Sequence, residues 1–460
     1  MFVSLANVTT IVKMTHSYYI LLAIFLLFVG QVSNAQTTDS TKILSLHDCM
    51  VFALSNSTRL RIQQATSDDA RIARRDAILM AFTPTIEAQT YAYYNFGRSI
   101  DPQTNTYFTQ TSFHNNYSIN AGFTLFNGFE AVNNLKISKT GLAISKSKEK
   151  QTEADICLAI MEAYYNTVYY SQLVIACAEQ VANAESQLHL GQRQAELGQK
   201  SHAVVVQLEV DLADRQYDLI NMQNQYHDQL MTLSDLMFWP IDEPLNIDTT
   251  LPSLKFEALN VQSVVDYALT NNVGIKIAEY ERDNAMRELN TARWQLLPTL
   301  GLYVGWSTSY YSYHGAQSEP FQSQIKNNGG EYVEMSLSIP IYNRLQKHSN
   351  ISRKRNALSK TSAELEQKRR DLESEIKRVI QDFNGAVIAY YQAQRKAEVQ
   401  REAYTLNARK MEQGLISPIE FQTVNNNYLK CKADEMNSLF KLLIKQSVVK
   451  YYGGVEYVEQ

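Results

Sequence analysis

The chain alternates between two hydrophobic rhythms, one of seven residues and one of two, and it runs through that alternation twice. From about 345 to 413 there is no proline and one glycine, and Ile351, Leu358, Leu365, Leu372, Val379, Ala386 and Ala393 fall at strict sevens. Charges fill the intervals, as in Glu364-Leu365-Glu366-Gln367-Lys368-Arg369-Arg370, so the spacing predicts a heptad seam on one long helix. In the first half Ala154, Met161, Val168, Ile175 and Ala182 predict the same. Each helix would run about 65 residues, or roughly 100 Å from the rise per residue. The alanines in both seams suit several helices packed closely in a wall. Each long helix then meets a turn, Leu197-Gly198-Gln199-Lys200-Ser201 or Gln413-Gly414-Leu415-Ile416-Ser417. Glycine suits the position after a helix end, and Ser201 or Ser417 can cap the helix that follows. Shorter helices return over about 202–236 and 418–450, so the predicted elements are helical hairpins.

Ahead of each long helix the period falls to two. Ile86, Ala88, Thr90, Ala92, Tyr94 and Phe96 share one face, and Glu87, Gln89, Tyr91 and Tyr93 the other. Tyr117 to Leu125, Leu300 to Ser307 and Val333 to Ile339 alternate in the same way. Each run is about ten residues long, apolar on one side and small or polar on the other, which is what a transmembrane β-strand requires. Tyr93, Tyr94, Phe96, Trp306, Tyr310 and Tyr311 cluster near the strand ends, as in an interfacial girdle. A soluble sandwich with one buried face is the competing reading. Loops 97–114 and 312–330 are polar and contain glycine. Four strands cannot close a barrel, so the edges need strands from other copies. Two copies would give eight strands and a filled interior, whereas three give twelve and leave a lumen.

The two halves also match residue by residue. Ala53-Leu54-Ser55-Asn56 returns as Ala268-Leu269-Thr270-Asn271, Phe126-Asn127 as Tyr342-Asn343, and Tyr165-Asn166 as Phe383-Asn384. Asn127 to Gly198 and Asn343 to Gly414 are both intervals of 71 residues. The period, near 215 residues, is far above that of solenoid repeats and marks a duplicated half-molecule. Repeat one spans about 44–236, a linker about 237–260, and repeat two about 261–452.

Composition narrows the function classes. The formal net charge of the 460 residues is −4, which gives no footprint for nucleic acid. Lys13, an apolar run from Tyr18 to Val29 and Ser33-Asn34-Ala35 predict a signal peptide over 1–35 and a mature chain of 36–460. The apolar run is too short to span a bilayer, and no membrane-length apolar stretch follows it. Cys157 and Cys177 lie about 30 Å apart on one predicted helix, beyond disulfide reach. All four cysteines read as small buried apolar residues. No phosphate-binding loop, HExxH, CxxC or GxSxG pattern occurs, and the eight histidines lack ligand spacing. His47-Asp48 reads as a helix-capping pair. The expectation is therefore no enzyme, no cofactor and no metal, with any energy for transport supplied by a partner.

The order of helix, strand pair, long helix, turn and helix, written twice behind a signal, resembles the TolC family of outer-membrane efflux ducts over essentially the whole mature chain. The residues that carry it are Leu46 to Asn56 and Val261 to Asn271, Pro84 and Pro298 ahead of the strands, Leu125-Phe126-Asn127-Gly128, and Gly414 to Phe421. The resemblance implies a mixed helix and strand membrane protein. A homotrimer would complete a 12-stranded barrel in outer-membrane lipid and a helical tunnel through the periplasm. It also implies a tripartite efflux or type I secretion system, in which an inner-membrane pump passes cargo to the duct through a periplasmic adaptor (membrane fusion) protein. Leu197, Gly198, Ser201, Gly414, Leu415 and Ser417 would be the adaptor-contacting helix tips, and Glu420 and Thr423 would ring the periplasmic aperture. In the first half the position matching Glu420 is Val204. An exported coiled-coil scaffold of the envelope, without a pore, is the alternative reading.

Overall fold

A computed structural model describes residues 43–100, 104–109, 111–250, 261–314 and 317–460. The predicted signal segment and the end of the predicted linker lie outside the described residues. The first half contains α1 (Leu46–Asn56), α2 (Thr58–Phe82), β1 (Thr85–Asn95), a small hairpin of β2 (Arg98–Ile100) and β3 (Tyr107–Thr109), β4 (Ser112–Phe126), α3 (Glu130–Glu196) and α4 (His202–Met237). The second half repeats the order with α5 (Val261–Asn271), α6 (Val273–Trp294), β5 (Thr299–Tyr313), α7 (Phe321–Asn327), β6 (Gly330–Ser338), α8 (Gln346–Glu412) and α9 (Pro418–Tyr452).

Both long helices contain 67 residues, about 100 Å of helix. Each packs along one half against the shorter helix that returns from its tip, and along the other half against α2 or α6. These partners meet at mid-length, where the main core lies. Met50, Ile160, Met161, Leu233, Met237, Ile275, Ile376, Leu442 and Val449 are almost wholly buried there. Each contributes about 1.5–3 kcal/mol by removing apolar surface from water. The chain ahead of α1 is stitched into this belt by a parallel bridge between Leu44 and Ile247. Ser45 and Asp48 close a capping box on α1, so Asp48 caps the helix, while His47 Nδ1 lies 3.0 Å from the Val458 carbonyl.

The seams follow the predicted sevens only in part. Met161, Val168, Leu365 and Leu372 are buried, but Ile175 is 48% exposed within one chain and Ala182 is exposed as well. The buried line moves instead to Ala176, Gln180, Ala184 and Gly191. In α8 it shifts from Leu372 to Ile376 and then resumes sevens through Phe383, Tyr390, Ala397 and Met411. A straight α-helix drifts by about 20° per heptad, so a fixed seven-residue line rotates off the contact and a neighbouring line replaces it. Cys49, Cys157 and Cys431 are buried and Cys177 is half-buried, all four as free thiols.

Four strands form one antiparallel sheet in the order β1-β4-β5-β6, so the halves join at β4 and β5. Pro84 and Pro298 stand between the α2 or α6 helix and the following strand; Thr83, before Pro84, is extended, as the proline ring requires. Among the described residues, both loops contain regular elements. β4 starts at Ser112, β2 and β3 pair within the first loop, and α7 occupies the second. β6 ends its pairing with β5 at Ser307, and α7 covers part of the strand edge beyond. Gln324 there accepts a hydrogen bond from the Tyr311 amide (3.0 Å) and donates to the Tyr311 carbonyl (2.9 Å), much as a neighbouring strand would.

Candidate functional site

The candidate site residues lie at the hairpin tips, and the sheet occupies the other end of the molecule. At each tip the long helix ends in a Schellman motif. Gly198 has φ +71° and Gly414 φ +74°, a conformation that favours glycine. In the first tip the Gly198 amide donates to Ala195 and the Gln199 amide to Gln194; in the second, Gly414 donates to Met411 and Leu415 to Lys410. Leu197 and Leu415 project from these turns, 70% and 68% exposed. The tips differ in how the next helix begins. Ser417 accepts from the Glu420 amide (3.2 Å) while its own amide donates to Glu420 Oε2 (3.0 Å), a capping box. Ser201 makes no side-chain cap, contrary to the expectation from sequence. Its third residue on is Val204, which has no carboxylate to reach back; Val204 packs instead against Leu208, Met411 and Phe421.

The Glu420 carboxylate is therefore engaged by its own backbone, a use favoured also by the positive end of the helix dipole. Thr423 is exposed and bonds back to the Ile419 carbonyl. Above the tips, the two hairpins are joined by a polar layer that sequence reasoning did not single out. Arg215 on α4 is 3% exposed; it donates to Asn426 Oδ1 on α9 (2.7 Å) and to Asp211 (3.1 Å). Asn183 on α3 donates to the Tyr404 hydroxyl on α8 (3.2 Å), and burial raises the Tyr404 pKa. The available signal was an arginine set into the apolar stripe Leu208, Leu212 and Leu219.

At the other end, the pairing register sorts the sheet into two faces. Ile86, Ala121, Val304 and Val333 lie in one row, and Ala88, Ile119, Trp306 and Glu331 in the next, two rows that are apolar but for Glu331; Thr90, Asn115 and Thr308 follow on the same face toward its far end. Alternate rows are polar: Thr85, Gly122, Tyr303 and Glu334, then Glu87, Asn120, Gly305 and Tyr332. Strands β1 and β6 are the edges, exposed along nearly their whole length. Long edges of this kind pair readily with other strands. Each junction from a strand into a long helix is a tight turn with two consecutive left-handed residues, Gly128 and Phe129 or Arg344 and Leu345. Asn127 and Asn343 accept at their carbonyls from the first helical amide.

Among the described residues no group of His, Cys, Asp or Glu is placed to hold a metal, and no helix is long and apolar enough to cross a membrane. The Outer membrane efflux protein family matches residues 52–237 and 264–447. No curated protein matches. Among solved structures, the Campylobacter jejuni CmeC outer membrane channel is 13% identical, with a TM-score of 0.74, over 90% of this chain and 85% of that one. The Vibrio cholerae outer membrane protein VceC is 13% identical, with a TM-score of 0.70, over 89% and 96%. The open-state Neisseria gonorrhoeae MtrE channel is 15% identical, with a TM-score of 0.67, over 90% and 90%. With one strand pair and one long hairpin in each matched segment, the chain belongs to the outer membrane efflux protein family.

Proposed function

We propose that three copies of this chain form a passive duct, the outer-membrane part of a tripartite efflux or type I secretion system. The protein is an outer-membrane efflux channel, with its sheet in the outer membrane and its helices in the periplasm. The observation that carries the trimer is the pair of open sheet edges, β1 and β6, on a four-stranded sheet with one lipid-compatible face. Three sheets joined edge to edge give about twelve strands, enough to leave a lumen. In this reading residues 36–460 make up the duct, with repeats at about 44–236 and 261–452 and a linker between. The alternative, an exported coiled-coil scaffold of the envelope without a pore, has no support from family membership.

The exposed Leu197 and Leu415, on turns built by Gly198 and Gly414 and followed by Ser201 and Ser417, offer the periplasmic end to an adaptor protein, which links the duct to an inner-membrane pump. Glu420 and Thr423 face the aperture in the same reading, with Glu420 held at a fixed angle by its capping box. The detergent-extracted protein should have the mass of three chains and conduct ions in planar bilayers. A monomeric mass, or a trimer that never conducts, would overturn the proposal. Substituting Leu197 and Leu415 together with Asp should abolish export in cells while leaving trimers intact.

A further inference from the structure

We infer that the barrel lumen carries a binding site for planar organic cations, made of an aromatic collar near its outer mouth above a tier of carboxylates. The inference rests on the trimeric duct proposed above, because it takes the polar face of the sheet as the wall of the lumen. On that face Tyr93, His114 and Tyr311 occupy one row across three adjacent strands. The Tyr93 and His114 rings stack at 5.0 Å and 11°, and Tyr311 lies 6.3 Å beyond His114. Tyr311 is 6% exposed and held in place by Gln324, whereas Tyr93 is 47% exposed. The buried Tyr311, its backbone held by Gln324, thus steadies one side of the row, and Tyr93 presents its ring on the other. Three rings per chain, repeated by three chains, would place a band of aromatic rings around the mouth, with Tyr93 its accessible member in each chain.

Charge selects the class of ligand. Glu87 and Glu334 lie on the same face, three or more rows nearer the helices, and the four strands contain no Lys or Arg. At this level Tyr303 and Tyr332 lie flat over glycines: a Cβ on Gly301 would meet the Tyr303 ring, and one on Gly305 the Tyr332 ring. The wall is therefore smooth, anionic and aromatic. A cation leaving the helices meets carboxylates first and π-faces second, and ring faces attract cations and stack on flat molecules.

The test uses the full-length trimer in planar bilayers, with ethidium as a planar cation and tetraethylammonium as a non-planar one. Ethidium should block the current with resolvable dwell times and tetraethylammonium should not. Tyr93→Leu should shorten ethidium dwell times about fivefold, the equivalent of one cation–π contact, and Tyr93→Phe should restore them. Equal ethidium dwell times in wild type and Tyr93→Leu, or equal block by both cations, would overturn the site. The potassium conductance of each variant is the control: its absence in wild type would instead count against the duct.

Discussion

Single residues decide how sharply the chain turns at either end of its long helices. Ser417 and Ser201 occupy matching positions, but only Ser417 caps through its side chain. Ser417→Ala should cost about 1 kcal/mol and speed amide exchange at the start of α9, whereas Ser201→Ala should leave α4 unchanged; equal effects would refute the distinction. Gly128 and Arg344 share a left-handed backbone, yet a Cβ on Gly128 would collide with the Trp294 carbonyl. Gly128→Ala should therefore reduce the yield of assembled protein. Arg344→Gly should raise thermal stability by about 1 kcal/mol, because left-handed conformations are costly for other residues. Burial, with Asp48 or Glu153 nearby, pushes the thiols of Cys49 and Cys157 up to about 12. Both should stay unmodified by maleimide at neutral pH in the native state, since the thiolate is the reactive form. The Gly and Ser tip signals were legible in the sequence. The unlike caps needed the third position of each helix to be weighed, where Glu420 and Val204 differ.

At the scale of elements, the helical hairpins and the strand pairs follow from periods of seven and two, which is why their ends lie close to the predicted ones. The differences share a cause. Ile175 and Ala182 follow from counting along one helix, but the face buried within one chain depends on which neighbour the helix meets at each height. α7 escaped notice because its cover for β5 comes from a few single contacts, the Gln324 amide with the Tyr311 backbone, Thr308 Oγ1 donating to the Ile325 carbonyl and the Phe321 ring against Tyr310, and no periodicity marks such contacts. Arg215 was likewise hidden among apolar neighbours. It ties α4 to α9 across the polar layer above the tips, and its removal should be felt by both. Arg215→Ala should destabilise the hairpin ends by about 3 kcal/mol, the usual cost of breaking a buried charge pair. Amide exchange should quicken in α4 and α9 near the tips but not in the mid-length core.

For the whole molecule, the two faces of the sheet face different solvents, so equivalent substitutions should fail differently. Val333→Arg, on the apolar face, should cost about 2–4 kcal/mol in the bilayer and cut trimer yield. Ser336→Arg, on the polar face, should assemble normally and lower cation conductance, a difference that heat-shifted gel migration and bilayer recordings can resolve together. The sheet also has a history. Ser112 pairs with Tyr313, although about two hundred residues separate them, and closing so long a loop is slow for a flexible chain. Here the intervening chain is mostly helix that travels out along α3 and back along α4, α5 and α6, over nearly equal lengths. Once those local helices form, the two strands arrive side by side. The long hairpin is then also a folding clock: it delays the joining of the two half-sheets until the tunnel segment beneath them exists.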